Sequence, residues 1–417
     1  MVKTIKKDGY NLHIIKTSKF KTISLRLIFW NELKEEELTI RNMLADSLLF
    51  SSQKYDDNRK ISIKKEELYS ANVYNSVYRN GTHVVNEFNL SSIEDKYTEK
   101  GNLEKSINFL FDCLNNPNIK KEEFDKKSFN IVKDRIKTAL INENDNPGYY
   151  SYKRYKEIIG NKKILTGSIL GTLKDLEKID EKSLYTYYKN FFSNNHIDIY
   201  VIGNINEKEI EGLIENNMKF KSNITKYEKI TTDYTKEFTE VQESSPFKQT
   251  KLIMGSSIKK LTDDEKKYAA IIYNVILGNS PNSKLFKSVR ESKSYAYTIS
   301  SSINRLDGLF IINAGISLEN YNDTKEEIYK QLNDMKKGIF TEKDIKNAKE
   351  LALSILKEID DNPVSMIDHY NNYLYYGADT LKDAYQKIKN ITKEDIVKVA
   401  KKINIDTIYL LKEDVNG

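Results

Sequence analysis

The sequence predicts an α+β protein made of two similar domains. Apolar patterns of period 2, which suit strands, alternate along the chain with patterns of period 3.6, which suit helices. The order of segments repeats, so that Ile179-Asp-Glu-Lys-Ser-Leu184 is matched by Ile391-Thr-Lys-Glu-Asp-Ile396, 212 positions later. Between the halves, residues 220–247 are dominated by Lys, Thr, Glu and Ser. At 417 residues the chain is too long for one core, because domains hold about 100–200 residues each.

In the first half, Thr22-Ile-Ser-Leu-Arg-Leu-Ile-Phe-Trp30 is apolar and alternating, which predicts a strand. Apolar positions 40, 43, 44, 45, 48 and 49 have helical spacing and predict a buried helix over 38–50. Residues 71–91 alternate around Asn80-Gly81, a hairpin dipeptide. Amphipathic helices are expected over 103–114 and 121–141, with a chain break at Asp145-Asn-Pro-Gly148. A helix over 184–192, the buried strand Ile197-Asp-Ile-Tyr-Val-Ile-Gly203 and a helix over 207–217 close the half.

The second half repeats the plan. Lys251-Leu-Ile-Met-Gly-Ser256 predicts a strand, 263–277 a helix, and 295–316 strand material around Asp307-Gly308. Helices over 324–335 and 342–358 follow, and 405–411 is the last strand. Helix 103–114 with Ile119-Lys-Lys-Glu-Glu-Phe124 parallels helix 324–335 with Ile339-Phe-Thr-Glu-Lys-Asp-Ile345. The expected domains are therefore 1–222 and 246–417, joined by a connector at 223–245 that has room for an extended edge strand.

Composition excludes several function classes. Lys plus Arg number 67 and Asp plus Glu 61, a net charge of +6. That is a mixed solvated surface, so no nucleic acid is expected as a partner. No apolar run approaches the ~18–20 residues of a membrane span, and the first ten residues carry no leader-like apolar core. A cytoplasmic protein is expected. The single cysteine, Cys113, excludes an internal disulfide and a thiolate zinc cluster, and its apolar surroundings predict a core residue. The four histidines (His13, His83, His196, His369) include no pair at i, i+4, so each is expected in a structural role. A nucleophile elbow, a phosphate loop and a dinucleotide turn are all missing.

Longer motifs carry a resemblance. Leu285-Phe-Lys-Ser-Val-Arg-Glu-Ser-Lys-Ser-Tyr-Ala-Tyr297 places a Leu-Phe pair before Arg-Glu and a Tyr seven positions after the Arg. It is followed by Gly308-Leu-Phe-Ile-Ile-Asn-Ala-Gly315 and then the segment beginning at Ile339. In the first half, Gly171-Thr-Leu-Lys-Asp-Leu-Glu-Lys-Ile179 precedes the helix over 184–192 and the strand over 197–203. In this order the segments resemble the insulinase/pitrilysin-like (M16) zinc peptidases. The likeness is to their short-chain branch, which includes zinc-less bacterial members and alpha-type mitochondrial processing subunits. The resemblance implies two homologous domains, each a mixed or antiparallel sheet packed with helices, forming one half of a clamshell.

One departure governs the expected function. Active members carry His-Xaa-Xaa-Glu-His, and here the matching stretch is Met43-Leu-Ala-Asp-Ser-Leu-Leu-Phe50. Met43 and Ser47 take the positions of the two histidine ligands, and Asp46 that of the general base. The third ligand falls within Val132-Lys-Asp-Arg-Ile136, aligned with Arg135. A thioether and a hydroxyl do not replace two imidazoles on zinc. No metal, cofactor or autonomous hydrolysis is therefore expected of this chain.

Arg290 and Tyr297 match the pair that, in the family, holds substrate near the zinc. The resemblance thus implies the substrate-binding subunit of a heterodimeric metallopeptidase. Its homologous partner would carry His-Xaa-Xaa-Glu-His and the zinc, and a peptide would be the substrate. The alternative implied is a stand-alone peptide-binding or scaffold protein, accessory to a protein-modification pathway. Read without the resemblance, Arg290 would be half of a surface ion pair and Tyr297 one more strand aromatic.

Overall fold

The structure is a computed structural model that describes residues 2–160, 167–224 and 237–413. The first half runs β1 (Val2–Lys7), β2 (Tyr10–Lys16), β3 (Thr22–Glu32), α1 (Leu38–Phe50), α2 (Asn58–Glu67), β4 (Asn72–Asn80) and β5 (His83–Ile93). It continues through α3 (Asn102–Asn115), β6 (Ile119–Lys120), β7 (Glu123–Phe124), α4 (Lys126–Asn142), α5 (Pro147–Ile159), α6 (Leu173–Glu177), α7 (Glu181–Phe191), β8 (His196–Gly203) and α8 (Glu207–Asn217). The second half comprises β9 (Thr239–Ser245), β10 (Thr250–Ser257), α9 (Ala270–Leu277), β11 (Ala296–Asn304), β12 (Leu309–Ile316) and α10 (Tyr321–Lys336). It ends with α11 (Glu342–Asp360), α12 (Pro363–Tyr375), α13 (Leu381–Asn390), α14 (Lys393–Lys402) and β13 (Thr407–Glu413).

Two compact units result. One comprises Met1–Asn142, Gly167–Ile230 and Asp360–Asn371. Its sheet has the order β1-β2-β8-β3-β5-β4. β2 and β8 are parallel and every other neighbouring pair is antiparallel. Alternate residues of β3 (Ile23, Leu25, Leu27, Phe29) enter the main core with Met43 and Leu48 of α1 and Leu110 of α3. Cys113 is fully buried there, and burial pushes its thiol up to about 12.

The other unit comprises Glu143–Thr166, Thr231–Ile359 and Asn372–Gly417. Its sheet has the order β11-β12-β10-β13-β9, with only β13 and β9 parallel. Strand for strand this repeats β4-β5-β3-β8-β2, in order and in sense. Between β5 and β8 stand α3 to α7, and between β12 and β13 stand α10 to α14. The two domains are thus homologous mixed-sheet α+β folds, and β1 is an extra strand of the first.

The units differ from the linear halves at two segments. α5 lies in the first half of the sequence but packs with the second unit, while Asp360–Asn371, which holds most of α12, packs with the first. Each is the third of its five helices. Tyr155 and Ile159 of α5 form a core with Ile253, Leu309, Ile311, Tyr409 and Leu411 on one face of the second sheet. Gly255 makes room for them, since a Cβ there would fall on the Tyr155 hydroxyl. Arg154 clamps Glu243 of β9 with both arms of its guanidinium, at 3.1 and 2.5 Å.

Two local expectations are corrected. Asp145-Asn-Pro-Gly148 starts a helix instead of breaking the chain. The Asn146 side chain accepts from the Tyr149 amide, and Pro147, which has no amide hydrogen to satisfy, opens α5. The helix expected from 121 begins at 126, because Lys121 and Glu122 adopt positive φ in the tight β6–β7 turn. The connector at 223–245 holds the extended edge strand it has room for: β9 pairs in parallel with β13 at the edge of the second sheet, while residues 225–236 lie outside the described set.

Candidate functional site

Helix α1 is buried along nearly its whole length. Met43, Asp46, Ser47 and Phe50 lie at i, i+3, i+4 and i+7, which puts them on one face. Met43 is fully buried and Ser47 is buried with its Oγ unbonded to any described residue. Asp46 accepts from Asn75 Nδ2 of β4 at 3.2 Å. Burial pushes the Asp46 carboxyl above its ordinary value, against that hydrogen bond and the Arg135 charge. Arg135, on α4, stacks its guanidinium 4.9 Å from the Phe50 ring centre. It is exposed, with no carboxylate at ion-pair distance among the described residues.

The fold therefore brings Met43, Asp46, Ser47 and Arg135 to one place on two packed helices. This donor set does not fit zinc. It offers a thioether, a neutral hydroxyl and one carboxyl, and it adds a guanidinium whose charge opposes a divalent cation. Among the described residues no three of His, Cys, Asp and Glu gather to hold a metal.

Arg290 and Tyr297 lie in the second unit on unusual backbone. Phe286–Ser292 is a wide π-helical turn, a geometry enriched at functional positions. Arg290 is on it, exposed, with its guanidinium 4.9 Å from the Phe286 ring centre. No described carboxylate pairs with Arg290. The turn closes where the Tyr295 amide bonds the Val289 carbonyl at 2.9 Å, past Ser294 at φ 54°. Tyr297 is the extra residue of a β-bulge between the pairs Ala296–Ile316 and Thr298–Gly315. A bulge re-aims its side chain. Tyr297 is 61% exposed, and its hydroxyl lies 3.0 Å from Ser317 Oγ.

A third cluster escaped the sequence reading. The parallel pairing of β2 with β8 sets Asn11 opposite Asp198, and β3 brings Trp30 opposite His196 on the same face. Asp198 is fully buried and accepts from His13 Nε2 at 3.0 Å, Trp30 Nε1 at 3.0 Å and Asn11 Nδ2 at 3.1 Å, with His196 Nε2 at 3.2 Å. These donors hold its carboxyl far below the usual carboxylate range, against the burial that opposes them. His83 packs edge-on to Trp30 at 5.1 Å, so three of the four histidines meet here. They are separated by up to 183 positions in sequence (196 − 13), and no local spacing announces them. The arrangement is a buried network built around the Asp198 carboxylate, in keeping with the structural role expected of the histidines.

The Peptidase M16 inactive domain matches residues 178–352. The probable inactive metalloprotease YmfF of Bacillus subtilis is 27% identical over 415 residues, spanning 98% of this chain and 96% of that protein. A conserved protein from Enterococcus faecalis V583 superposes with a TM-score of 0.92 at 25% identity, covering 100% of this chain and 99% of that one. A peptidase M16 inactive domain from Pseudomonas fluorescens gives 0.81 at 17% identity, covering 99% and 98%. No helix among the described residues is long and apolar enough to cross a membrane.

Proposed function

Since the chain resembles the M16 peptidases, and their inactive members in particular, we propose that it is the substrate-binding subunit of a heterodimeric zinc metallopeptidase. The partner carries His-Xaa-Xaa-Glu-His and binds the zinc. This chain contributes Arg290 and Tyr297. The guanidinium donates to a carbonyl of the peptide, and the phenol hydroxyl donates to the oxyanion that forms as water attacks. β11, which carries Tyr297, is an edge strand of its sheet, and an extended peptide adds naturally to such an edge. A cytoplasmic complex acting on peptides or protein precursors belongs to the same reading.

The observation that carries the proposal is the contrast within the chain. The zinc positions hold residues that zinc does not accept, while Arg290 and Tyr297 stand exposed on a π-helical turn and a bulge. The test is a native pull-down of the full chain with mass identification of what accompanies it. A stoichiometric homologue bearing His-Xaa-Xaa-Glu-His supports the proposal. Recovery of the chain alone, or with an unrelated protein, removes the peptidase role and leaves a binding or scaffold protein.

A further inference from the structure

We propose that Glu327 of α10 is a positioning residue for Arg290 and Tyr297, acting through Lys293 on the backbone between them. The inference rests on the reading of that pair as the groups that hold substrate. Lys293 stands three residues after Arg290 and four before Tyr297, at the end of the π-helical turn. Its ammonium donates to Glu327 Oε2 at 2.6 Å and lies 5.4 Å from the Tyr295 ring centre. Glu327 is 4% exposed, and Gln331 Nε2 donates to its other oxygen at 2.7 Å. The start of the segment is tied to the far end of the same helix. There Lys284 lies 3.7 Å from Asp334 and donates to the Ile339 carbonyl at 3.0 Å.

A π-helical turn and a residue at positive φ are both uncommon backbone states, and they persist where the surroundings over-determine them. Here one follows the other, with Ser294 at φ 54° directly after Lys293. Leu285, Val289 and Ala296 anchor the segment in the core of the second unit. They leave the stretch between them loose, because residues 290–294 are all exposed. Of these five, Lys293 is the one with an ion pair to another element among the described residues. Lys330, the other cation near Glu327, is 3.9 Å away on α10 itself and holds no part of the loop. A buried carboxylate is costly unless it is paired, so Glu327 holds Lys293 in one geometry and passes that geometry to the residues on either side.

Hydrogen exchange of the full chain, read by mass spectrometry, tests the latch first. In Glu327→Gln the amides of 286–297 are expected to exchange about tenfold faster, with β10 and β12 unchanged and the melting temperature lowered by less than about five degrees. Lys293→Met should act alike, and Lys293→Arg, which keeps the charge, should preserve the slow exchange. Turnover by the pair recovered in the pull-down is the second reading, on a quenched fluorescent peptide selected from a random library by the unaltered pair. Glu327→Gln should lower kcat on the order of 10-fold and leave KM within about twofold, since substrate still binds while the oxyanion donor is misplaced. Unchanged exchange at 286–297, or loss of protection across the whole second unit, overturns this inference alone. So does faster exchange with normal turnover, where Arg290→Ala is slow. Normal turnover in Arg290→Ala, or the absence of a cleaving pair, removes the reading beneath it, and the inference falls with that reading.

Discussion

At Asp198 four neighbouring side chains converge on one buried carboxylate, and its ionisation is linked to folding. The folded state holds the carboxyl well below the unfolded value of about 3.9, so its contribution is fully present above that pH. It is lost as pH falls from there toward the folded value. Stability of the first unit should therefore drop below about pH 4, as denaturant midpoints across an acid series would show. Asp198→Asn keeps the shape but gives up the charge and leaves donors facing a donor, at a cost of about 3 kcal/mol or more. An unchanged midpoint would refute the network's importance. Arg290 and Tyr297 predict the opposite pattern. Being exposed, Arg290→Ala and Tyr297→Phe should leave the melting temperature within a degree or so, while turnover by the assembled pair falls about 100-fold. Normal turnover in both variants would take away the main support for a catalytic contribution.

Among the elements, the contact between α5 and β10 is the most exacting. Tyr155 is fully buried over Gly255, where no side chain fits. Gly255→Ala should cost about 1–3 kcal/mol by overpacking, and Tyr155→Phe in that background should recover part of the loss. Additive losses in the double variant would show that the two residues do not meet. This helix also marks where sequence reading stops. The strands at 22–30, 197–203 and 251–256 are legible because short alternating or clustered apolar residues mark them. The Asn-Pro-Gly signal suits a chain break and a helix start alike, and only tertiary packing separates the two outcomes. α2 went unread because it buries a single residue, Ile61, and so has almost no apolar stripe. The face of α1 was legible through its motif. The nearness of Asn75 and the stacking of Arg135 on Phe50 come from β4 and α4, which no pattern within α1 encodes.

For the whole molecule, duplication was visible as short matches about 212 positions apart, and the structure gives it a stronger form in two sheets of the same order and sense. The exchange of the third helices was not visible, because each matched segment keeps its place in the chain and only its packing partner differs. A fragment of residues 1–222 should accordingly be unstable. It lacks Asp368, which bonds buried Arg26, and Asn371, which accepts from the Tyr200 hydroxyl at 3.3 Å. Its expected mark is strong binding of an apolar dye and a broad melt, and a sharp melt at the intact protein's temperature would refute this.

The same exchange sets an order of events during synthesis. The first unit is emitted by the ribosome up to Ile230, yet its last segment ends at Asn371. Translation proceeds at about 5–20 residues per second, so the nascent first sheet waits roughly 7–28 s for its missing piece. Throughout that interval Arg26 has no Asp368 to meet, and the polar face of the sheet is open to chaperones. Synonymous changes that slow decoding across residues 231–359 lengthen this exposure and lower the yield of soluble protein without altering one amino acid.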